Sequence, residues 1–426
     1  MPLRRPVARL AAVAALAAPA LLPAQTPAPG AGGAPAARAD AAVAGVMPKV
    51  VAWRRDIHQH PELSNREVRT AKLVAAHLRA LGLEVREGVA KTGVVGVLRE
   101  GNGERAIGLR ADLDALHIQE ATGAPHASRN AGRMHACGHD GHTAMLLGAA
   151  KAMTQRRRFD GTVYFIFQPA EENEGGGRVM VEEGLFERFP MESVYGLHNW
   201  PLRPLGTFAT RVGPLMGAYD IFEIIATGKG AHAALPYLAK DPMLFAAHLV
   251  NALQTIVSRN LHPQDAGVVS VTQIHGGETW NIIPEQVVVR GTVRTFRKDV
   301  QDLIEARLRA IVAGVAATFD MGATVRYERR YPATVNTAEE TGHAVKAMQA
   351  VVGDAQVDTD PVPEMGSEDF AFMLEAKRGC YVWMGTSEGE RTVHVHNPRY
   401  DFNDAALPIG ASYWVTLAEQ QLPARR

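Results

Sequence analysis

The sequence predicts an α/β fold, a sheet with helices on both faces, interrupted by an inserted α+β unit. Two observations carry this. Short β-rich runs (residues 94–98, 106–109 and 162–168) alternate with helical periodicity (residues 143–153) in the first half of the chain. From about Ala218 to Tyr331 the order becomes strand, helix, strand, strand, helix, strand, which matches a ferredoxin-like split unit. With 426 residues, 46% hydrophobic and 21% charged, the chain is of globular composition and is neither disordered nor collagen-like.

The elements follow in order. Arg4 and Arg5 precede an apolar run from Leu10 to Leu22, and Leu22-Pro23-Ala24 offers a small-residue cleavage site. Residues 1–24 therefore read as a secretory signal, with an uncleaved anchor as the alternative, and predict a secreted or periplasmic protein. Residues 25–41, rich in Pro, Ala and Gly, read as a disordered tether. Helical spacing fills residues 42–81 with a break at Pro61. A catalytic domain is expected in two parts, 42–217 and 332–426. The insert, 218–331, reads as strands at 221–226, 267–274, 286–296 and 324–329 and helices at 242–259 and 300–319.

Charge and cysteine content narrow the chemistry. Lys+Arg and Asp+Glu both number 45, so a strongly basic nucleic-acid binder is not expected. Cys137 and Cys380 are the two cysteines, too few for a disulfide framework.

Chemistry concentrates in five segments. Asp112 and Asp114 follow a strand, at the edge where open α/β sheets bind ligands, although loop acids would look the same. His135, Cys137, His139 and His142 crowd into eight residues, and thiolate with imidazole suits borderline divalent metals. A hydrophobic strand runs into Glu171-Glu172, where one carboxylate can bind metal and the other handle a proton; a solvated acidic loop is the alternative. His198 and His396 each sit in a further short motif, and either alone would pass for a structural histidine.

In this order the five segments resemble the M20 metallopeptidase family, specifically its amidohydrolase branch of hippurate hydrolases, N-acyl-amino-acid amidohydrolases and auxin-conjugate hydrolases. The resemblance covers about residues 47–420. It is strengthened by Arg54-Arg55-Asp56-Ile57-His58-Gln59-His60-Pro61-Glu62-Leu63, Gly228-Lys229-Gly230-Ala231-His232 and Gly366-Ser367-Glu368-Asp369-Phe370. The branch feature is Cys137-Gly138-His139-Asp140-Gly141-His142. More distant members draw a histidine ligand from the strand that here carries Arg110.

The resemblance implies a mixed-sheet, phosphorylase/hydrolase-like catalytic domain holding two divalent metal ions, with the insert as lid and dimerisation domain. It implies Cys137 as the shared ligand, with His139 and His198 on one metal and Glu172 and His396 on the other. It implies Glu171 as general base and acid, Asp112 as the carboxylate that orients a ligand, His232 as oxyanion stabiliser and Asn281 as substrate-binding. His58, His60, His135 and His142 are left as structural or supporting residues. The metals are expected to be Mn2+ or Zn2+, with Co2+ and Ni2+ chemically suited as well. The expected activity is metal-dependent hydrolysis of small-molecule N-acyl amino acids or related amides by a homodimer. A dipeptidase or carboxypeptidase is the main alternative, and an inactive metal-binding scaffold the other.

Overall fold

The strand Gly161–Gln168 is buried along its whole length and sorts its side chains alternately. Val163, Phe165 and Phe167 point into one apolar core, Tyr164 and Ile166 into another. A strand buried on both faces needs a layer on each side, and this one lies within an eight-stranded sheet. The computed structural model describes residues 41–389 and 393–424. The signal sequence expected at 1–24, and the tether up to residue 40, lie outside the described residues.

The sheet order is Glu84–Val89, Gly93–Glu100, Gly161–Gln168, Ala106–Asp112, Ser193–Pro204, Gly379–Ser387, Phe208–Ala209 and Val357–Asp358. Its central pairings, Gly161–Gln168 with Ala106–Asp112, then Ser193–Pro204, then Gly379–Ser387, are parallel. Both outer pairings on the amino-terminal side are antiparallel, so the sheet is mixed. Helices Ala41–Gln59, Val68–Ala80, His139–Arg156, Ala338–Val352 and Leu407–Gln421 contribute to one core. The shorter helices Gly176–Glu182, Leu185–Arg188 and Phe370–Ala376 contribute to the other.

A separate four-stranded antiparallel sheet runs in the order Gly267–His275, Gln286–Thr295, Ala218–Thr227, Gly322–Tyr331. Numbered along the chain, this is 2-3-1-4, the ferredoxin-like arrangement. Phe222, Ile224 and Ala226 alternate inward and pack with Phe245, Leu249, Ile304 and Leu308 of two helices. The fold is thus a mixed α/β architecture carrying an inserted α+β unit, in the place where the lid is expected. One element differs from the sequence reading. The helix expected over 242–259 divides into Pro242–Leu253 and Thr255–Asn260. The hydroxyls of Thr255 and Ser258 donate to the carbonyls of Ala252 (2.7 Å) and Gln254 (2.9 Å), and such side chains compete with the helical ladder. Among the described residues no helix is long and apolar enough to cross a membrane.

Candidate metal centre

The parallel strands deliver the site. Asp112 ends Ala106–Asp112 and is in register with Gln168, the last residue of its neighbour. Beyond Gln168 the chain turns through Glu171 and Glu172. His198 lies on Ser193–Pro204, past the residues that pair with Ala106–Asp112. These are carboxyl ends, where open α/β sheets place ligands. Cys137 sits just before the helix His139–Arg156, whose first residue is His139. Gly138 between them has φ +93°, and a Cβ there would collide with Asn199 and Tyr400. Glycine is therefore required for the Cys–Gly–His step. His396 arrives from the carboxy-terminal part, its backbone N–H donating to the Ala136 carbonyl (2.7 Å).

These residues converge. Ligand-capable atoms of Cys137, His139 and His198 lie within 4.8 Å of one another, and so do those of Cys137, Glu172 and His396. Cys137 belongs to both groups. A further group joins His139 and Glu172 to Glu171. The Cys137 Sγ is 3.3 Å from His198 Nε2, and His396 Nε2 is 3.0 Å from Glu172 Oε1.

The imidazoles are oriented for donation. His139 Nδ1–H donates to the Asp114 carbonyl (2.9 Å), and His198 Nδ1–H to the Asn199 carbonyl (2.6 Å). Each Nε2 is left to face the cluster, and that of His139 is buried with no hydrogen-bond partner. Metal-binding histidines are held in this way by the other ring nitrogen. A thiol, three imidazoles and a carboxylate, one buried nitrogen among them unsatisfied, fit divalent cations. Burial and the neighbouring His142 keep the His198 ring neutral by pushing its pKa well down. Burial, with Glu368, Glu172 and Asp369 nearby, pushes Glu171 well above the ordinary carboxylate range.

Asp112 is fully buried and bears on the histidines. His142 Nδ1–H donates to its Oδ1 (2.6 Å), and His139 Nε2 lies 3.8 Å from its Oδ2. His142 Nε2 in turn accepts from the Asn199 backbone N–H (3.0 Å). Below Asp112 the buried Arg110 guanidinium reaches Asp112 (2.7 Å), Glu368 (2.8 Å), Asp369 (3.1 Å) and the Gln168 side-chain oxygen (2.8 Å).

The turn bearing the two glutamates is strained. Ala170 has φ +55° and Asn173 φ +68°. A left-handed alanine costs roughly 1–2 kcal/mol and persists only when its surroundings enforce it. Glu67 Oε1 accepts from the Ala170 N–H (2.8 Å), and Asp114 Oδ2 from the Glu172 N–H (2.9 Å). The Tyr331 hydroxyl donates to the Glu171 carbonyl (2.5 Å).

Sequence reasoning flagged Asp114 without giving it a role and passed over Glu67, Arg110 and Tyr331 as contributors to the site. Asp114 had a signal, its place beside Asp112 after a strand; the other three act through residues remote in the chain. Of the histidines set aside, His142 joins Asp112, while His58 pairs with Asp140 (2.8 Å). His232 and Asn281 belong to none of these groups. Both are exposed on the lid, where Ala231–His232 pairs with Ile282–Ile283 and the Ala233 N–H donates to the Asn281 carbonyl (2.9 Å).

The chain is similar to known proteins over most of its length. The family described as Peptidase family M20/M25/M40 matches residues 108–420. The chain is 41% identical over 369 residues to the hippurate hydrolase of Campylobacter jejuni, covering 87% of this chain and 95% of that protein. It is 40% identical over 379 residues to the N-acetyl-L-cysteine deacetylase of Bacillus subtilis, covering 88% of each. Among solved structures, the Bacillus subtilis YXEP protein, a dinuclear metal binding peptidase from the M20 family, matches with a TM-score of 0.77 at 35% identity, over 89% of this chain and 99% of that one.

Proposed function

The chain belongs to peptidase family M20/M25/M40 and is a metal-dependent hydrolase, and we propose that it cleaves the amide bond of N-acyl amino acids or related amide conjugates. The observation that carries the proposal is the pair of ligand groups sharing Cys137, with Glu171 beside them. In this reading Cys137 is common to two divalent ions, His139 and His198 complete one site, and Glu172 and His396 the other. Mn2+ or Zn2+ is the proposed pair, and when bound the ions would acidify water and polarise the scissile carbonyl.

The chain's own residues do the rest. Glu171 Oε accepts the proton of the attacking water and then delivers it to the leaving amine nitrogen. Its burial, which favours the protonated form, suits it to the second half of that cycle. Asp114 holds His139 through its carbonyl, and Asp112 holds His142 and lies beneath His139. His232 is assigned to the developing oxyanion and Asn281 to the substrate, both brought in by the lid. Their exposure beside Leu235, Tyr237 and Trp280, large apolar side chains open to solvent, supports a homodimer through the lid. Export by the amino-terminal signal is likewise proposed.

The test is hydrolysis by the mature protein of a panel of N-acetyl, N-benzoyl and longer-acyl amino acids and two dipeptides. Each is assayed after chelation, after return of Mn2+, Zn2+ or Co2+, and with Glu171→Gln. Release of amino acid that needs metal and falls by roughly 10²–10⁴ in Glu171→Gln is expected. Faster cleavage of dipeptides than of N-acyl amino acids would move the assignment to a dipeptidase. Silence with metal bound would overturn the proposal.

A further inference from the structure

The strand that closes the lid also grips the turn that carries Glu171. Gly322–Tyr331 is the last strand of the four-stranded sheet, and its final residues lie against residues 171–175. The Tyr331 hydroxyl donates to the Glu171 carbonyl (2.5 Å) and accepts from the Gly175 N–H (3.2 Å). Beside it the Arg330 guanidinium donates to the Asn173 carbonyl (2.6 Å). Three hydrogen bonds thus cross from one end of the lid strand to one short turn.

The turn depends on such support. Ala170 holds left-handed backbone that its side chain disfavours, and Asn173 and Gly175 follow in the same region at φ +68° and +70°. Conformations of this kind last only where neighbours over-determine them. Glu67 and Asp114 supply support from the catalytic part, at the Ala170 and Glu172 N–H groups. The carbonyls of Glu171 and Asn173 are held from the lid strand.

Tyr331 is fixed in turn by the start of the lid. It pairs in register with Tyr219 and its ring meets that of Tyr219 edge-on, with centroids 6.3 Å apart. On another side it meets Phe372 at 6.0 Å. The Arg294 guanidinium lies 4.0 Å over the Tyr219 ring and donates to the Ser367 hydroxyl (3.2 Å). Two residues on, the Asp369 N–H points to Glu171 Oε1 (3.4 Å). Both crossings between lid and catalytic part, at Tyr219 and at Tyr331, therefore converge on the same glutamate.

We propose that Tyr331 is a positioning residue that makes the placement of Glu171 depend on the position of the lid, with Arg330 as its auxiliary grip. When the lid strand is seated, the hydroxyl pins the Glu171 carbonyl and the carboxylate faces Glu172 and His139. When the strand shifts, the three hydrogen bonds it gives the turn leave together. The inference rests on the reading of Glu171 as general base.

The test uses the full mature protein with metal restored, and the variants Tyr331→Phe and Arg330→Ala. Phenylalanine keeps the ring packing and removes only the hydroxyl; Arg330 is half-buried and belongs to no apolar core, so its removal is expected to spare the fold. Amide hydrogen exchange read by mass spectrometry over residues 169–177 is expected to quicken in both variants. Tyr331→Phe is expected to lower kcat by about 10- to 100-fold, the scale of a misplacement near 1 Å, with KM within about twofold and metal content unchanged. A purely structural contact would not divide kcat from KM in this way. Unchanged exchange, unchanged kcat, or a fall in kcat that tracks loss of metal would each overturn the proposal. If the wild type hydrolyses nothing, the functional reading fails by itself, and the exchange result alone decides whether the lid strand holds the turn.

Discussion

Replacing Arg110 by methionine removes the one guanidinium shared by Asp112, Glu368 and Asp369 while keeping most of the volume. All four side chains are essentially without solvent contact. The cost has a ceiling that follows from titration. A carboxylate left without its cation in this setting escapes by taking a proton. At pH 7 that means protonation about three units above its ordinary pKa, or about 4 kcal/mol at 1.36 kcal/mol per unit. Breaking a buried ion pair typically costs about 3–5 kcal/mol, so the two routes to the magnitude agree. The sign of the pH dependence is fixed too. The orphaned group is protonated in the folded chain and ionised in the unfolded one above about pH 4, so the unfolded state binds fewer protons. Stability of the variant must then fall by about 1.4 kcal/mol per pH unit relative to wild type as pH rises from 5 to 7. Urea denaturation of both proteins with chelator present, at pH 5, 6 and 7, measures this. A difference below about 1 kcal/mol at pH 7, or one that does not grow with pH, would refute the assignment of Arg110 as the neutralising charge.

Three further outcomes are expected. Asp114→Asn weakens the carboxylate that accepts from Ser64 and the Glu172 N–H and lies beside His139, so metal affinity in a chelator competition should fall by about 10- to 100-fold with the fold intact. Gly138→Ala places a side chain at φ +93° against Asn199 and Tyr400, and should destabilise by more than the roughly 1–2 kcal/mol of the left-handed backbone while costing metal content measured by elemental analysis. Burial alone would lower the His58 pKa, but Asp140 and Glu120 raise it to about 9. Its contribution is therefore complete below pH 6.5 and lost as pH rises to about 9, so the gap in denaturation midpoint between wild type and His58→Gln should close between pH 6 and 9.5.

What was legible in the sequence was what is written locally. The unbroken apolar run within residues 162–168 marks a strand buried on both faces, and the strand–helix order of the insert matches its observed topology. The histidine and cysteine density at residues 135–142 marks a metal locus because few loops need so many soft donors. Partnerships across the chain leave no such trace. Arg110 meets Glu368 across 258 positions, Tyr331 meets Glu171 across 160 and Glu67 meets Ala170 across 103. Glu67, just ahead of the helix Val68–Ala80, reads as one more helix-start acid, yet it is fully buried. The left-handed Ala170 is invisible for the same reason. Alanine has no intrinsic preference for that conformation, and only the surrounding hydrogen bonds impose it.

The charge layout explains why two adjacent glutamates can have different tasks. Asp112, Glu368 and Asp369 share Arg110 beneath the site. Glu172 has His396 3.0 Å away. Glu171 is buried and makes no ion pair with a lysine or arginine among the described residues; the three strongest influences on it, burial, Glu368 and Glu172, all favour its protonated form. A carboxylate so placed is pushed well above the ordinary carboxylate range, which suits a group that first takes a proton and then returns it. Burial alone would raise Asp112 too, but His139, His142 and Arg110 hold it well below that range, a fixed anion that orients imidazoles. The division of labour between Glu171 and Glu172 therefore follows from their surroundings: Glu172 has the His396 imidazole beside it, and Glu171 lies buried among carboxylates.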